Sequence, residues 1–200
     1  MLRRSTWTAV CCALGAVALS GAGQTLTKRD ADSLEKKLAA VLERGALTTT
    51  PARPLRTLVS DREVNAYFQF QGAEQLPAGV VNPRIALTEA GRMEAVVTVD
   101  LDTVRRSKDR VWSDPLAYVA GSVEVRAVGL LHGADGQGRV LLESATLGGV
   151  PLPKAFLQEI ITFYSKTPES PAGFSLDQPF TLPQKIRHVE FQRGAAVIVQ

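Results

Sequence analysis

The sequence predicts an α+β fold: a curled antiparallel sheet of about six strands, packed on one strongly apolar helix in the C-terminal half, with N-terminal helices flanking it. Three observations carry this. Two stretches in the middle of the chain alternate apolar and polar residues on either side of turn signals, the pattern of antiparallel hairpins. Residues 154–166 place Ala155, Phe156, Leu157, Ile160, Ile161, Phe163 and Tyr164 on one short helix, more apolar surface than a one-sided helix uses. Ahead of the strands, residues 28–44 and 60–70 read as helices.

At the start of the chain, Arg3 and Arg4 precede an uncharged apolar run from Ala9 to Leu19, and Ser20-Gly21-Ala22 follows it. That order predicts a secretory signal peptide over residues 1–22, with an uncleaved anchor as the alternative. The run is about 11 residues, against the roughly 20 a membrane span needs. Removing 22 of the 200 residues leaves 178, enough for one domain with a real core. The expected organisation is therefore a leader (1–22), an N-terminal helix and linker (23–57) and a single α+β domain (58–200).

Both cysteines, Cys11 and Cys12, lie in the leader, so the remainder has no disulfide, thiolate ligand or cysteine nucleophile. Taking Arg3 and Arg4 from the 23 basic residues leaves 21 against 20 acidic ones. A net charge near +1 gives no argument for nucleic-acid binding.

In the first helix Ala31, Leu34, Leu38, Val41 and Leu42 recur at helical spacing, Thr27 caps the start and Gly45 ends it. Residues 48–54 are a polar, proline-bearing linker. Ser60-Asp61-Arg62-Glu63 is a capping box opening the second helix, which carries Val64, Tyr67 and Phe68. Ile85 and Leu87 begin the sheet, Glu89 to Arg92 turns, and Ala95, Val97, Val99 and Leu101 alternate with Glu94, Val96, Thr98, Asp100 and Asp102. Val123, Val125 and Ala127 start a second hairpin around a turn at residues 132–138, returning over 139–147. Gly148 to Pro153 forces extended backbone ahead of the apolar helix. A last hairpin, 185–192 and 195–200, turns at Arg193-Gly194.

No Gly-x-Ser-x-Gly, His-Glu-x-x-His, P-loop or dinucleotide fingerprint occurs, and the histidines, His132 and His188, read as exposed strand residues. The reading therefore names no catalytic residue, metal ligand or cofactor. Asp100 and Asp102 on one strand face, with Asp114 downstream, form the carboxylate set that acid–base chemistry or a cation could use. They equally read as the acids that keep a strand face wet. Arg105, Arg106, Lys108 and Arg110 lead to Trp112, a combination suited to an anionic membrane surface; a basic loop with its tryptophan tucked into the core is the structural alternative.

The layout resembles bacterial exported proteins of the tubular lipid-binding kind, including phospholipid-binding proteins of the cell envelope. The likeness rests on Ser60-Asp61-Arg62-Glu63-Val64-Asn65-Ala66-Tyr67 before the long strands, Gly149-Val150-Pro151-Leu152-Pro153 leading into an apolar helix, Pro179-Phe180-Thr181-Leu182-Pro183, and a closing Val197-Ile198-Val199-Gln200. It implies a curled sheet wrapped on a helix that shelters acyl chains. The expected function is accordingly non-enzymatic binding of a lipid or other apolar molecule outside the cytoplasm, periplasmic or secreted. Phe156, Leu157, Ile160, Ile161, Phe163 and Tyr164 are the expected walls. Two rivals stand beside it: an envelope assembly factor acting through a sheet edge or the first helix, and a hydrolase built on the three aspartates.

Overall fold

The computed structural model describes residues 25–49, 53–106, 120–166, 171–176 and 178–200; the expected leader lies outside them. Helix α1 (Lys28–Ala46) starts at a Thr27–Asp30 capping box and turns Ala31, Leu34 and Val41 inward. Strand β1 (Arg56–Ser60) runs straight into α2 (Asp61–Phe70), capped by Ser60 and Glu63 as the sequence predicts. Glu63 also ties the two helices together. Its carboxylate takes Lys37 Nζ at 2.6 and 2.7 Å, the Ser33 hydroxyl at 2.6 Å and the Ser60 amide at 3.0 Å.

The sheet follows: β2 (Val80–Leu87), β3 (Arg92–Asp100), β4 (Ser122–Ala134), β5 (Gln137–Leu147), the two-residue β6 (Val150–Pro151) and β7 (Phe180–Thr181), then β8 (His188–Gln192) and β9 (Ala195–Val199). A short helix α3 (Leu101–Arg106) follows β3, and α4 (Lys154–Ser165) lies between β6 and β7. Pairing is antiparallel throughout, in the order β1-β9-β8-β4-β3-β2, with β5 on β4 and carrying β6 and β7. The fold is thus α+β with a curled, open sheet. It has nine strands among the described residues, where about six were expected. The extra ones are β1, too short to show alternation, and the two-residue β6 and β7, which only pairing with β5 defines.

Three further details differ from expectation. Strand β3 stops at Asp100, so Leu101 and Asp102 belong to α3. The β4–β5 turn is not the whole of 132–138: pairing continues to Ala134↔Gln137, leaving Asp135 and Gly136 at its tip with φ 50° and 73°. Lastly, two register shifts break the alternation. Asn82 and Pro83 together face the single residue Val97 between Val81↔Thr98 and Arg84↔Val96, and Glu143 is the extra residue between Val128↔Ser144 and Gly129↔Leu142. Each inserts one residue and exchanges the faces beyond it.

The edge of β2 is closed. Asn65 of α2 accepts from Ile85 N and donates to Ile85 O, both at 2.7 Å. Leu87 N reaches Asp61 at 3.3 Å, and Leu87 O accepts from Gly194 N at 2.9 Å. Pro83 has no amide to offer. Such an edge is poorly suited to adding a partner strand.

Candidate functional site

Because opposed residues in an antiparallel pair share a face, the register defines the concave side directly. It carries Met93, Ala95, Val97 and Val99 of β3, then Val123, Val125, Ala127 and Gly129 of β4. On β5 the same face carries Leu147 and Ala145 before the bulge, and Leu142 and Val140 after it. Over this concavity stands α4. It touches the sheet near β5, where Leu157, Ala145 and Leu176 form a buried cluster joined by Leu142, Leu152 and Ile161.

Between α4 and the rest of the concave face lies a cavity of about 640 Å³. One wall is sheet, including Ala95, Val99, Val125 and Leu142; the other is Leu157, Ile160 and Ile161 of α4; Leu101 and Val104 of α3 close one end. From Val125 to Leu131 this wall runs about 20 Å at roughly 3.3 Å per residue. Among the described lining side chains only Ser165 is polar, and its hydroxyl is engaged, accepting from Phe174 N at 2.6 Å.

The segment at 172–176 straps α4 in place. Gln158 does most of this: its amide donates to Thr162 Oγ1 at 2.7 Å and Phe174 O at 2.9 Å, and accepts from Leu176 N at 2.8 Å. Leu176 is thereby held in the cavity wall. A second hollow, about 740 Å³, lies on the convex side between α2 and β2–β3. Asn65, Gln69, Arg84, Thr98 and Glu124 line it among apolar neighbours. The two differ in kind: the concave cavity offers dispersion contacts, the convex one a mixture of polar and apolar groups.

Of the expected wall residues, Leu157, Ile160 and Ile161 line the cavity. Phe156 and Phe163 are half-buried on α4 outside the lining, and the Tyr164 side chain lies outside the described residues. On the sheet side, Ala95, Val99, Val125 and Ala127 are legible in the sequence as alternating strand residues but not as walls, and Leu176 is not marked at all.

The carboxylate set does not assemble as expected. Asp100 ends β3 and caps α3: Thr103 Oγ1 donates to it at 2.6 Å, the amides of Asp102 and Thr103 at 3.0 and 3.1 Å. These bonds, the Thr103 hydroxyl first, hold its pKa below the usual carboxylate value. Asp102, a helical residue, pairs with Arg105 and accepts from Gly121 N at 3.1 Å. Both carboxylates thus serve the β3–α3 junction rather than one strand face; Asp114 lies outside the described residues. Of the expected membrane-contact residues, Arg105 and Arg106 end α3, with Arg106 donating to Thr103 Oγ1 at 2.8 Å, while Lys108, Arg110 and Trp112 lie outside the described residues. His132 stands on β4 opposite Arg139, and His188 Nε2 is 3.2 Å from Glu190.

Among the described residues no cluster of His, Cys, Asp or Glu could hold a metal ion, and no helix is long and apolar enough to cross a membrane. No protein-family model and no curated protein matches the chain. The solved crystal structure of a lipopolysaccharide binding protein is similar at 15% identity over 73% of this chain, with a TM-score of 0.24. The chain spans 40% of the length of that structure, and the likeness, a coarse one, assigns it to no family.

Proposed function

We propose that this protein binds the hydrocarbon part of a lipid, or a similar apolar molecule, without chemical conversion and outside the cytoplasm. One observation carries the reading: the apolar cavity between α4 and the concave sheet. A 640 Å³ volume falls within the roughly 300–1,000 Å³ of small-molecule sites. It is about four times the ~150 Å³ apolar cavity that takes up benzene, so it accommodates on the order of twenty carbons.

Leaving it empty is costly. At about 24 cal/mol per Å³, the value for engineered core cavities, 640 Å³ corresponds to about 15 kcal/mol as an upper bound for a cavity that reaches the surface. That equals the whole stability of a robust domain, about 5–15 kcal/mol. Water gains few hydrogen bonds from a wall whose one described polar side chain is already engaged, so hydrocarbon is the favourable filler.

Among its described residues the site has no group that asks for a particular polar partner, which suits a carrier or receptor of chains. Location outside the cytoplasm is supported by the charged, apolar and small-residue order of the first 22 residues.

Native mass spectrometry of gently purified protein tests the binding: adducts of lipid mass, lost on organic extraction, are expected, and a clean apo mass would overturn it. The same spectra test the location, since exported protein should begin near Gly23; an unprocessed cytoplasmic chain starting at Met1 would refute export.

A further inference from the structure

A strand that kept its alternation would carry β3 on past Asp100. The chain turns instead. Asp100 caps α3, and the backbone leaves the sheet so that Leu101 and Val104 close one end of the cavity. That end lies on the cavity's long axis. The wall along β4 runs from Leu131 to Val125, and Leu101 N donates at 3.0 Å to the carbonyl of Gly121, the residue just before β4.

Helix α3 is braced on two sides. Gly121 holds it twice, since its N–H also donates to Asp102 at 3.1 Å. Toward β2, Asp100 N donates to Gly79 O at 2.7 Å. Gly79 has φ 81°, and a Cβ built there would stand 2.6 Å from both Asp100 O and Val104 Cγ2, so α3 sits against the start of β2 without slack. Leu101, 1% exposed, is the most deeply buried large side chain among the described residues, and Val104 is 8% exposed. By register the strand residues of the wall nearest this end are Val80, Val99, Val125 and Leu147, all apolar.

A polar head group placed at this end would lose its water and gain no side-chain partner from the wall, whereas a terminal methyl needs none. We infer that Leu101 and Val104 are the stop that sets how long a hydrocarbon chain this cavity accepts. The chain lies along β4 with its methyl end against α3. A methylene beyond the fitting length meets a braced wall rather than one that yields, and overpacks it. The side wall has a different part: Ile160 of α4 governs how firmly a chain is held, not where it ends. This assignment rests on the carrier reading, and its test tells the two apart.

The full chain is exchanged against pairs of saturated fatty acids that differ by a single methylene, and their bound shares are read by native mass spectrometry. Up to the stop, each added methylene should favour the longer homologue about fourfold, equivalent to the ~0.8 kcal/mol of a buried CH₂. Beyond it the preference should vanish or reverse. Val104→Ala should move that break to a longer chain and Val104→Phe to a shorter one. Ile160→Ala, on the side wall, should weaken binding across the series and leave the break in place. Urea unfolding checks that each variant folds, and Leu101→Val is the second lengthening variant if Val104→Ala does not. A break that stays put in the α3 variants, one that moves equally with Ile160→Ala, or no break at all overturns the stop and leaves the carrier reading standing. A protein that takes up no fatty acid of any length overturns both.

Discussion

Replacing Ile160 with tryptophan separates a binding cavity from an ordinary core by the sign of its effect. Ile160 faces the cavity from α4, half-buried, with open volume in front of it. A tryptophan buries about 150–250 Å². At about 25 cal/mol per Å² that amounts to roughly 4–6 kcal/mol, against about 1.5–3 kcal/mol for a buried isoleucine. Filling the void should therefore stabilise the lipid-free protein by roughly 2 kcal/mol, a rise in Tm of about 4–8 °C for a chain of this size. The same substitution in a packed interior costs about 1–3 kcal/mol through overpacking. The assay has two arms: thermal unfolding of wild type and variant after organic extraction, and native mass spectrometry before it. The expected result is a lipid-free variant that melts above lipid-free wild type and no longer carries the lipid adduct. A variant that melts below it, from a wild type that carries no adduct, would make α4 ordinary core.

Two other perturbations test the frame around the cavity. Val97 shares the concave face with Ala95 and Val99, so Val97→Asp should cost several kcal/mol in urea unfolding. Thr98→Asp on the convex face meets Glu124 directly across the strands and should cost under about 1 kcal/mol; equal costs would refute the register. For Glu63, burial raises the carboxyl, but the bonds from Lys37, Ser33 and Ser60 outweigh it and bring the pKa down to about 2 from an ordinary 4.5. A carboxyl depressed on folding contributes stability above about pH 4.5 that is lost as pH falls through about 2. Glu63→Gln should therefore flatten that acid limb, and a limb of unchanged slope would show that the α1–α2 tie contributes nothing.

The fold class was legible because its evidence is periodic. Ala95 to Val99 and Val123 to Ala127 alternate cleanly, and the two capping boxes mark helix starts by chemistry that acts over three residues. Misreadings arose where a local rule met a long-range one. Leu101 continues the strand's apolar alternation, yet Asp100 uses its carboxylate to cap a new helix, and the pattern cannot show which way the backbone turns. Strand β1 has only Thr57 and Val59 turned inward, too few to mark a period. Leu176 comes to the cavity through Gln158, eighteen residues away, so no window around it contains the reason for its position. Of the five expected α4 wall residues whose side chains are described, Leu157, Ile160 and Ile161 line the cavity and Phe156 and Phe163 do not, because an apolar surplus measures area and not direction.

Those same departures from regularity build the site. A regular alternating sheet would place Val140 and Leu142 on the convex side, since they are out of phase with Ala145 and Leu147. Glu143 restores them to the concave face by adding one residue, and it does so in the strand that α4 packs against. In β2 the extra residue at Asn82 and Pro83 likewise sets Ile85 and Leu87 opposite Ala95 and Met93, beyond the cavity lining, while Val80 pairs with Val99 in the wall. Bulges also bend and twist the strands that carry them, so each supplies curvature at the point where it corrects the face. A flat sheet would let α4 settle along its length and leave no room. On a curled one, a straight helix held by Leu157 near β5 and strapped from behind through Gln158 stands clear of β3 and β4. The volume that remains follows from the mismatch between a straight cylinder and a bent surface, and its β5 wall is apolar because the bulge at Glu143 keeps Val140 and Leu142 on that face.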